Sequence, residues 1–168
     1  MNNNTQMPAT EIEIRRAFLE DAPTIATVLL DSFIEFRGLY SDDGFAATTP
    51  GAEKVRLRMQ EGPVWVALLR GAVSGTISAV LIADSAYIRG MAVVPSARGS
   101  GIGVALLQHA EDWAINQRCL RLFLSTTPFL GSAIRLYERS GFHRVENGPH
   151  ELFGTPLFTM GKKIVQVK

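Results

Sequence analysis

The chain has 168 residues, 46% of them hydrophobic and 20% charged, with 17 basic against 16 acidic side chains. This is the balance of an ordinary soluble globular protein long enough for one well-filled core. A formal charge of +1 provides no basic field for nucleic acid or for an anionic membrane surface. No apolar run reaches the ~18 residues of a membrane span. Cys119 is the only cysteine, which excludes an internal disulfide and a thiolate metal cluster and fits a reducing, cytoplasmic setting.

Residues 1–10 are polar and lack a signal-peptide pattern, so they read as a flexible N-terminal tail, with 11–168 as a single domain. Ile12-Glu13-Ile14-Arg15-Arg16 alternates apolar and polar, which predicts a first strand. Asp21 is placed to cap the following helix, with Pro23 in its first turn and Ile25, Val28, Leu29 and Phe33 at helical spacing. Between Phe36 and Gly51 the periodicity breaks, and the stretch reads as a long connection of the kind that often carries function. A short charged helix over 52–61 follows, ending before Gly62-Pro63.

Strands dominate next. Residues 64–69 and 73–82, separated by Arg70-Gly71, carry a hairpin signal, and a second turn at Ala83-Asp84-Ser85 leads into 86–94. Gly90 inside that run predicts a bulge or a close main-chain approach. Pro95 stops the strand. Arg98-Gly99-Ser100-Gly101-Ile102-Gly103 then opens a helix over 102–116 that is apolar on several faces. Glycines that tolerate positive φ, free N–H groups at a helix start and an arginine beside them together describe a site for a phosphate-bearing ligand. The alternatives are an ordinary glycine turn and a dinucleotide fingerprint. The latter wants G-x-G-x-x-G in a parallel strand–helix–strand unit with an acidic residue ~20 positions on. Here the glycines alternate, and antiparallel hairpins precede them.

Leu120–Ser125 predicts another strand, with Cys119 entering it as a small core residue. A short helix over 132–140 follows, its Arg135, Glu138 and Arg139 on the wet face, with Gly141 at the C-terminal glycine position and Phe142 packing back on the last turn. Residues 142–146 and 157–164 form a closing antiparallel pair. The order is β-α-α-β-β-β-α-β-α-β-β, an α/β (α+β) mixed sheet with helices on its faces.

Two of these segments, Met91-Ala92-Val93-Val94-Pro95 with Arg98-Gly99-Ser100-Gly101-Ile102-Gly103, and Ala133-Ile134-Arg135-Leu136-Tyr137-Glu138-Arg139-Ser140-Gly141-Phe142, resemble in this order the GCN5-related N-acetyltransferases (the GNAT superfamily). The first is similar to the R/Q-x-x-G-x-G/A signature for acyl-coenzyme A, the second to an A-x-x-L-Y-x-x-x-G-F segment, and the order of elements fits over about residues 12–164. The resemblance implies a central, mostly antiparallel sheet whose splayed fourth and fifth strands, Tyr87–Val94 and Leu120–Ser125, receive the pantetheine arm of acetyl-CoA. Met91, Ala92 and Val93 would bond that arm like an added strand, and the amides of Arg98, Gly99, Ser100, Gly101, Ile102 and Gly103 would carry the pyrophosphate.

It also implies that Tyr137 is the general acid that protonates the departing thiolate; otherwise Tyr137 is a helix aromatic facing the core. Leu130 departs from the family, where an asparagine often bonds the cofactor arm. Thr126, Thr127 or Ser132 would substitute, or the contact is missing. The glutamate that relatives often carry on the fourth strand is absent from Tyr87-Ile88-Arg89-Gly90. Glu35, Asp84, Glu151 or water remain as the base. His109 and His143 read as structural or surface residues, and His150 sits in an acceptor-side loop. The three histidines and scattered carboxylates have no metal-ligand spacing.

On the acceptor side, Phe33, Phe36, Tyr40 and Phe153 either line an apolar pocket, with Glu35 meeting a cation, or are simply core. The resemblance thus implies an acetyl-CoA-dependent N-acetyltransferase that acts on a small-molecule or peptide amine, with no nucleic acid and no membrane as partner and with a homodimer left open. The alternative is an acyl-CoA-binding or sensing module of the same fold without turnover.

Overall fold

The computed structural model describes residues 11–166, so the expected tail over 1–10 lies outside the described residues. The first strand, β1 (Ile12–Arg16), pairs antiparallel with β2 (Val64–Leu69). Helix α1 (Ala22–Phe33) follows a short 3-10 turn at Leu19–Asp21. Asp21 occupies the capping position but gives no side-chain bond to α1. Because the 3-10 turn starts the helical path earlier, its carboxylate reaches back to accept from the Phe18 amide at 2.7 Å and from both Arg15 Nη atoms at 2.7 and 3.0 Å.

The stretch expected as a long connection is largely helical. A 3-10 segment covers Ile34–Leu39, and α2 (Asp42–Thr48) comes before α3 (Ala52–Glu61). The Asp42-Asp43-Gly44 cluster, which reads as a turn, is the first turn of α2. Ser41 caps it by accepting from the Gly44 amide at 3.0 Å, and the two aspartates favour the positive end of the dipole.

β2, β3 (Ala72–Ile82) and β4 (Ser85–Val93) form an antiparallel meander. After α4 (Ile102–Asn116), β5 (Arg121–Thr126) pairs parallel to β4. Helix α5 (Gly131–Arg139) leads to β6 (His143–Val145), and a small separate hairpin of β7 (Glu151–Leu152) and β8 (Thr155–Pro156) precedes β9 (Phe158–Lys163). Phe153 and Gly154 turn that hairpin, both with positive φ (49° and 88°), as a two-residue hairpin loop requires. The main sheet runs β1-β2-β3-β4-β5-β9-β6, with β4–β5 its one parallel pair among the described residues.

The sheet buries both faces. On one, Trp65, Ile77, Ile88, Leu122, Leu124 and Met160 pack beneath α4 and α5 with Leu106 and Phe142. On the other, Val64 and Val66 pack beneath α1 and α3 with Ile25, Leu29 and Val55. Residues 64–67 of β2 are all buried because successive side chains serve opposite cores. Each fully buried large aliphatic side chain contributes ~1.5–3 kcal/mol. Cys119 is 2% exposed within the first core, and burial pushes its thiol pKa up, as suits a packing residue.

Candidate active site

The site arises where β4 and β5 separate. Their parallel pairing runs from Ser85↔Arg121 to Ile88↔Leu124 and stops there. Just beyond, β4 bulges: Ser78 faces Arg89 and Thr76 faces Ala92, so Gly90 and Met91 together oppose Ile77. Gly90 has φ +60°, which turns the strand at that point. Past the bulge β4 stays bonded to β3, and β5 to β9, leaving the two facing edges apart. The gap opens into a cleft of about 640 Å³.

The glycine loop forms one wall. Gly99 and Gly101 have φ of +79° and +92°, and no side chain caps α4, so the first amides of α4 point outward unclaimed by a cap. At Gly103 a Cβ would come within 2.8 Å of Leu136 Cδ2, so a larger residue there would push the Leu136 side chain aside. Arg98 pairs with Glu35 at 2.5 Å and donates to the Ser32 carbonyl at 3.0 Å, which ties the loop to the end of α1. The Ser100 hydroxyl donates to the Ala97 carbonyl and holds the loop from within.

Of the residues named from sequence, Met91, Ala92, Val93, Arg98, Gly99, Gly101, Ile102, Gly103 and Tyr137 border this one cleft. Ser100 and Thr126 do not. Thr126 is buried, and its backbone pairs with Phe158 in β9. Of its suggested alternates, Ser132 borders the cleft and accepts from Arg135 at 3.1 Å, while the buried Thr127 Oγ1 has no partner among the described residues. Sequence reasoning left Arg135 and Arg139 as a wet face. Both are cleft residues, and their i, i+4 spacing on the helix that carries Tyr137 was the available signal. Among the described residues the bordering side chains include three arginines and no carboxylate, which suits a polyanion.

Tyr137 sits two residues before the end of α5. That end closes as a Schellman motif: Phe142 donates to the Tyr137 carbonyl and Gly141 to the Glu138 carbonyl, each at 3.0 Å, with Gly141 at φ +92°. The Phe142 ring stands 6.0 Å from the Tyr137 ring. The Tyr137 side chain is buried but reaches the cleft, and its hydroxyl has no protein acceptor among the described residues. Burial pushes its pKa up to about 12, with a smaller push from Tyr40.

The carboxylates suggested as bases lie elsewhere. Glu35 is committed to Arg98. Asp84 is in the β3–β4 turn, seven residues before Met91 and therefore roughly 20 Å along the strand at ~3.3 Å per residue. Glu151 is exposed on β7, and His150 is exposed beside it. Among the aromatics, Phe33 and Phe36 border the cleft. Tyr40 is buried against Phe129 at 4.9 Å, edge to face, and Phe129 stacks on Phe36 at 6.2 Å. Phe129 went unnoticed in the sequence because it follows a proline in a turn. Phe153 departs from the expectation: it is 64% exposed at the hairpin tip, where its positive φ turns it out of this cluster.

Comparison with known proteins agrees with this geometry. Residues 26–142 match the model of the acetyltransferase (GNAT) family. The chain is 31% identical over 139 residues to the uncharacterised N-acetyltransferase YjgM of Escherichia coli, covering 79% of this chain and 83% of that one. It is 30% identical over 154 residues to the uncharacterised N-acetyltransferase YhfO of Bacillus subtilis, covering 86% and 99%. Its fold superposes with a TM-score of 0.78 on the PaiA N-acetyltransferase of Thermoplasma acidophilum in complex with coenzyme A, at 22% identity over 92% of this chain and 99% of that one. The split strands, the glycine loop between them and these relatives together show that the chain belongs to the GNAT family of acetyltransferases.

Proposed function

We propose that the protein transfers an acetyl group from acetyl-CoA directly to a primary amine within a ternary complex. The observation that carries this reading is the β4–β5 gap, with the open α4 amides at its mouth and Tyr137 at its edge. When bound, acetyl-CoA supplies the acetyl group as an activated thioester. The amides of Gly99 to Gly103 bind the pyrophosphate, assisted by Arg135 and Arg139, while the Arg98 amide is held by the Pro95 carbonyl at 3.3 Å. The free edge of β4 at Met91–Val93 bonds the pantetheine arm and orients the carbonyl, and its amides stabilise charge developing on the carbonyl oxygen. Phe33, Phe36 and Leu136 keep water away from the reacting atoms.

Tyr137 Oη then gives its proton to the leaving sulfur. With its pKa near 12, the phenol is fully protonated at neutral pH. In isolation the transfer to a thiolate of pKa ~8.5 is uphill by several kcal/mol. A dry cleft raises the thiol's pKa for the same reason it raises the phenol's, which narrows the gap. No carboxylate borders the cleft among the described residues, so the amine loses its proton to water.

That missing carboxylate also favours the second reading, a coenzyme A-binding module without turnover. Release of free thiol from acetyl-CoA across a panel of primary amines separates the two. Amine-dependent release is the expected result, and tight binding with no release from any amine would establish the second reading.

A further inference from the structure

Next to the bulge, the α3 face of the sheet holds two guanidiniums, of Arg58 and Arg89, against the one carboxylate of Glu61. Arg58 projects from α3 and is half-buried. Its Nη1 lies directly over Gly90, where a Cβ would stand only 3.1 Å away. Gly90 immediately precedes Met91, so the guanidinium stands over the strand residue next to the segment that borders the cleft, from outside the cleft's own lining.

Arg58 makes no ion pair among the described residues, because the one acid near it, Glu61, is bonded to Arg89. Two guanidiniums therefore share one carboxylate. The Arg89 Nε is itself buried without a partner. Burial and the charge of Arg89 push the Arg58 pKa down, with Glu61 and Tyr87 opposing. The only hydrogen bond Arg58 donates among the described residues is a long one, 3.3 Å, to the Ala47 carbonyl in the last turn of α2, which leaves most of its five donors available. An excess guanidinium in a half-buried place calls for an anion, and a carboxylate fits its fork.

We propose that Arg58 holds a carboxylate of the acceptor, so that the amine acetylated belongs to a small amino acid and not to a simple alkylamine or a polyamine. The assignment rests on the acetyl-transfer reading above and adds its substrate class. Arg58 stands over Gly90, the neighbour of Met91, which favours acids that carry amine and carboxylate on one small molecule.

The test is thiol release measured on matched pairs, each an amino acid and the amine formed by its decarboxylation, such as phenylalanine with phenethylamine and lysine with 1,5-diaminopentane. The acid of at least one pair is expected to be preferred in kcat/KM by tenfold or more. Arg58→Met is expected to raise KM for that acid about 10- to 100-fold, with kcat changed less than threefold and with little effect on the decarboxylated partner. Arg58→Lys keeps the charge and the reach to Ala47 but loses the fork, and its effect on the acid should be intermediate. Preference for the decarboxylated amines throughout would overturn the assignment while leaving acetyl transfer standing. So would equal loss on both members in both variants, which would mark Arg58 as a cap for α2. Absence of release with every acid and every amine would overturn acetyl transfer and this assignment together.

Discussion

At the scale of the residue, Tyr137 shows how burial makes a phenol harder to ionise. Its phenol is made harder to ionise by desolvation and faces a cleft in which no protein group among the described residues takes its proton. Tyr137→Phe is expected to lower kcat by about 10²-fold or more, while the Kd for coenzyme A changes less than threefold; steady-state rates and calorimetric titration give the two quantities. The same shift affects stability. Below the unfolded pKa of ~10 the phenol is neutral in both states and carries no penalty. Between pH ~10 and about 12 the unfolded chain releases this proton and the folded one does not, so stability falls as pH rises, by up to ~3 kcal/mol. Chemical denaturation at pH 9 and pH 11 should show a smaller loss in Tyr137→Phe than in the wild type. A place on the cleft was legible for Tyr137 and for most of the glycine loop, because both belong to contiguous segments. Arg58 and Phe129 were not legible, since what they touch is set by pairing between distant strands and helices.

At the scale of the element, turn and cap chemistry decides where the functional groups stand. The Schellman closure uses the Tyr137 carbonyl itself, so a change at Gly141 is felt one turn away at the phenol. Gly141→Ala puts a Cβ at φ +92° and 3.2 Å from Lys162 Cε; a loss of about 1–2 kcal/mol in denaturant titrations is expected, with a reduced kcat at unchanged amine KM. Elements with strong period and clean stops, such as α4 and the β2–β3 hairpin, were readable to within a residue or so. α2 was missed because Asp42-Asp43-Gly44 signals a turn in isolation. It becomes a helix only once Ser41 caps it and Thr155 anchors Ser41 from the far β7–β8 hairpin, through a 2.8 Å bond between residues 114 positions apart.

At the scale of the molecule, the sheet has an interior gap between β4 and β5 where its own hydrogen bonding is incomplete, and a ligand that adds a strand there should tighten the whole. Coenzyme A at 100 times its Kd is expected to stabilise the fold by ~2.7 kcal/mol, or roughly 5–10 °C in Tm, read by thermal melts against ligand concentration. An unmoved Tm at saturating ligand would contradict the loop as a binding site. Mixed-sheet architecture was legible from the order of elements, as was the splay from the family resemblance. The sheet order was not, because nothing local in residues 157–164 tells that they pair with β5 as well as with β6.

That order carries a consequence for biosynthesis. β9 comes after α5 and β6 in the chain, yet it lies between β5 and β6 in the sheet, and its Phe158 and Met160 belong to the same core as Tyr137. While the ribosome is still translating residues before 158, β6 has no neighbour to dock on, and the helix that bears the phenol lacks part of its floor. The meander of β1 to β4 with α1, α3 and α4 can form first, since its contacts are already available. The half that carries Tyr137 is therefore the last to close, and a nascent chain forms the glycine loop before it completes the cleft around the phenol.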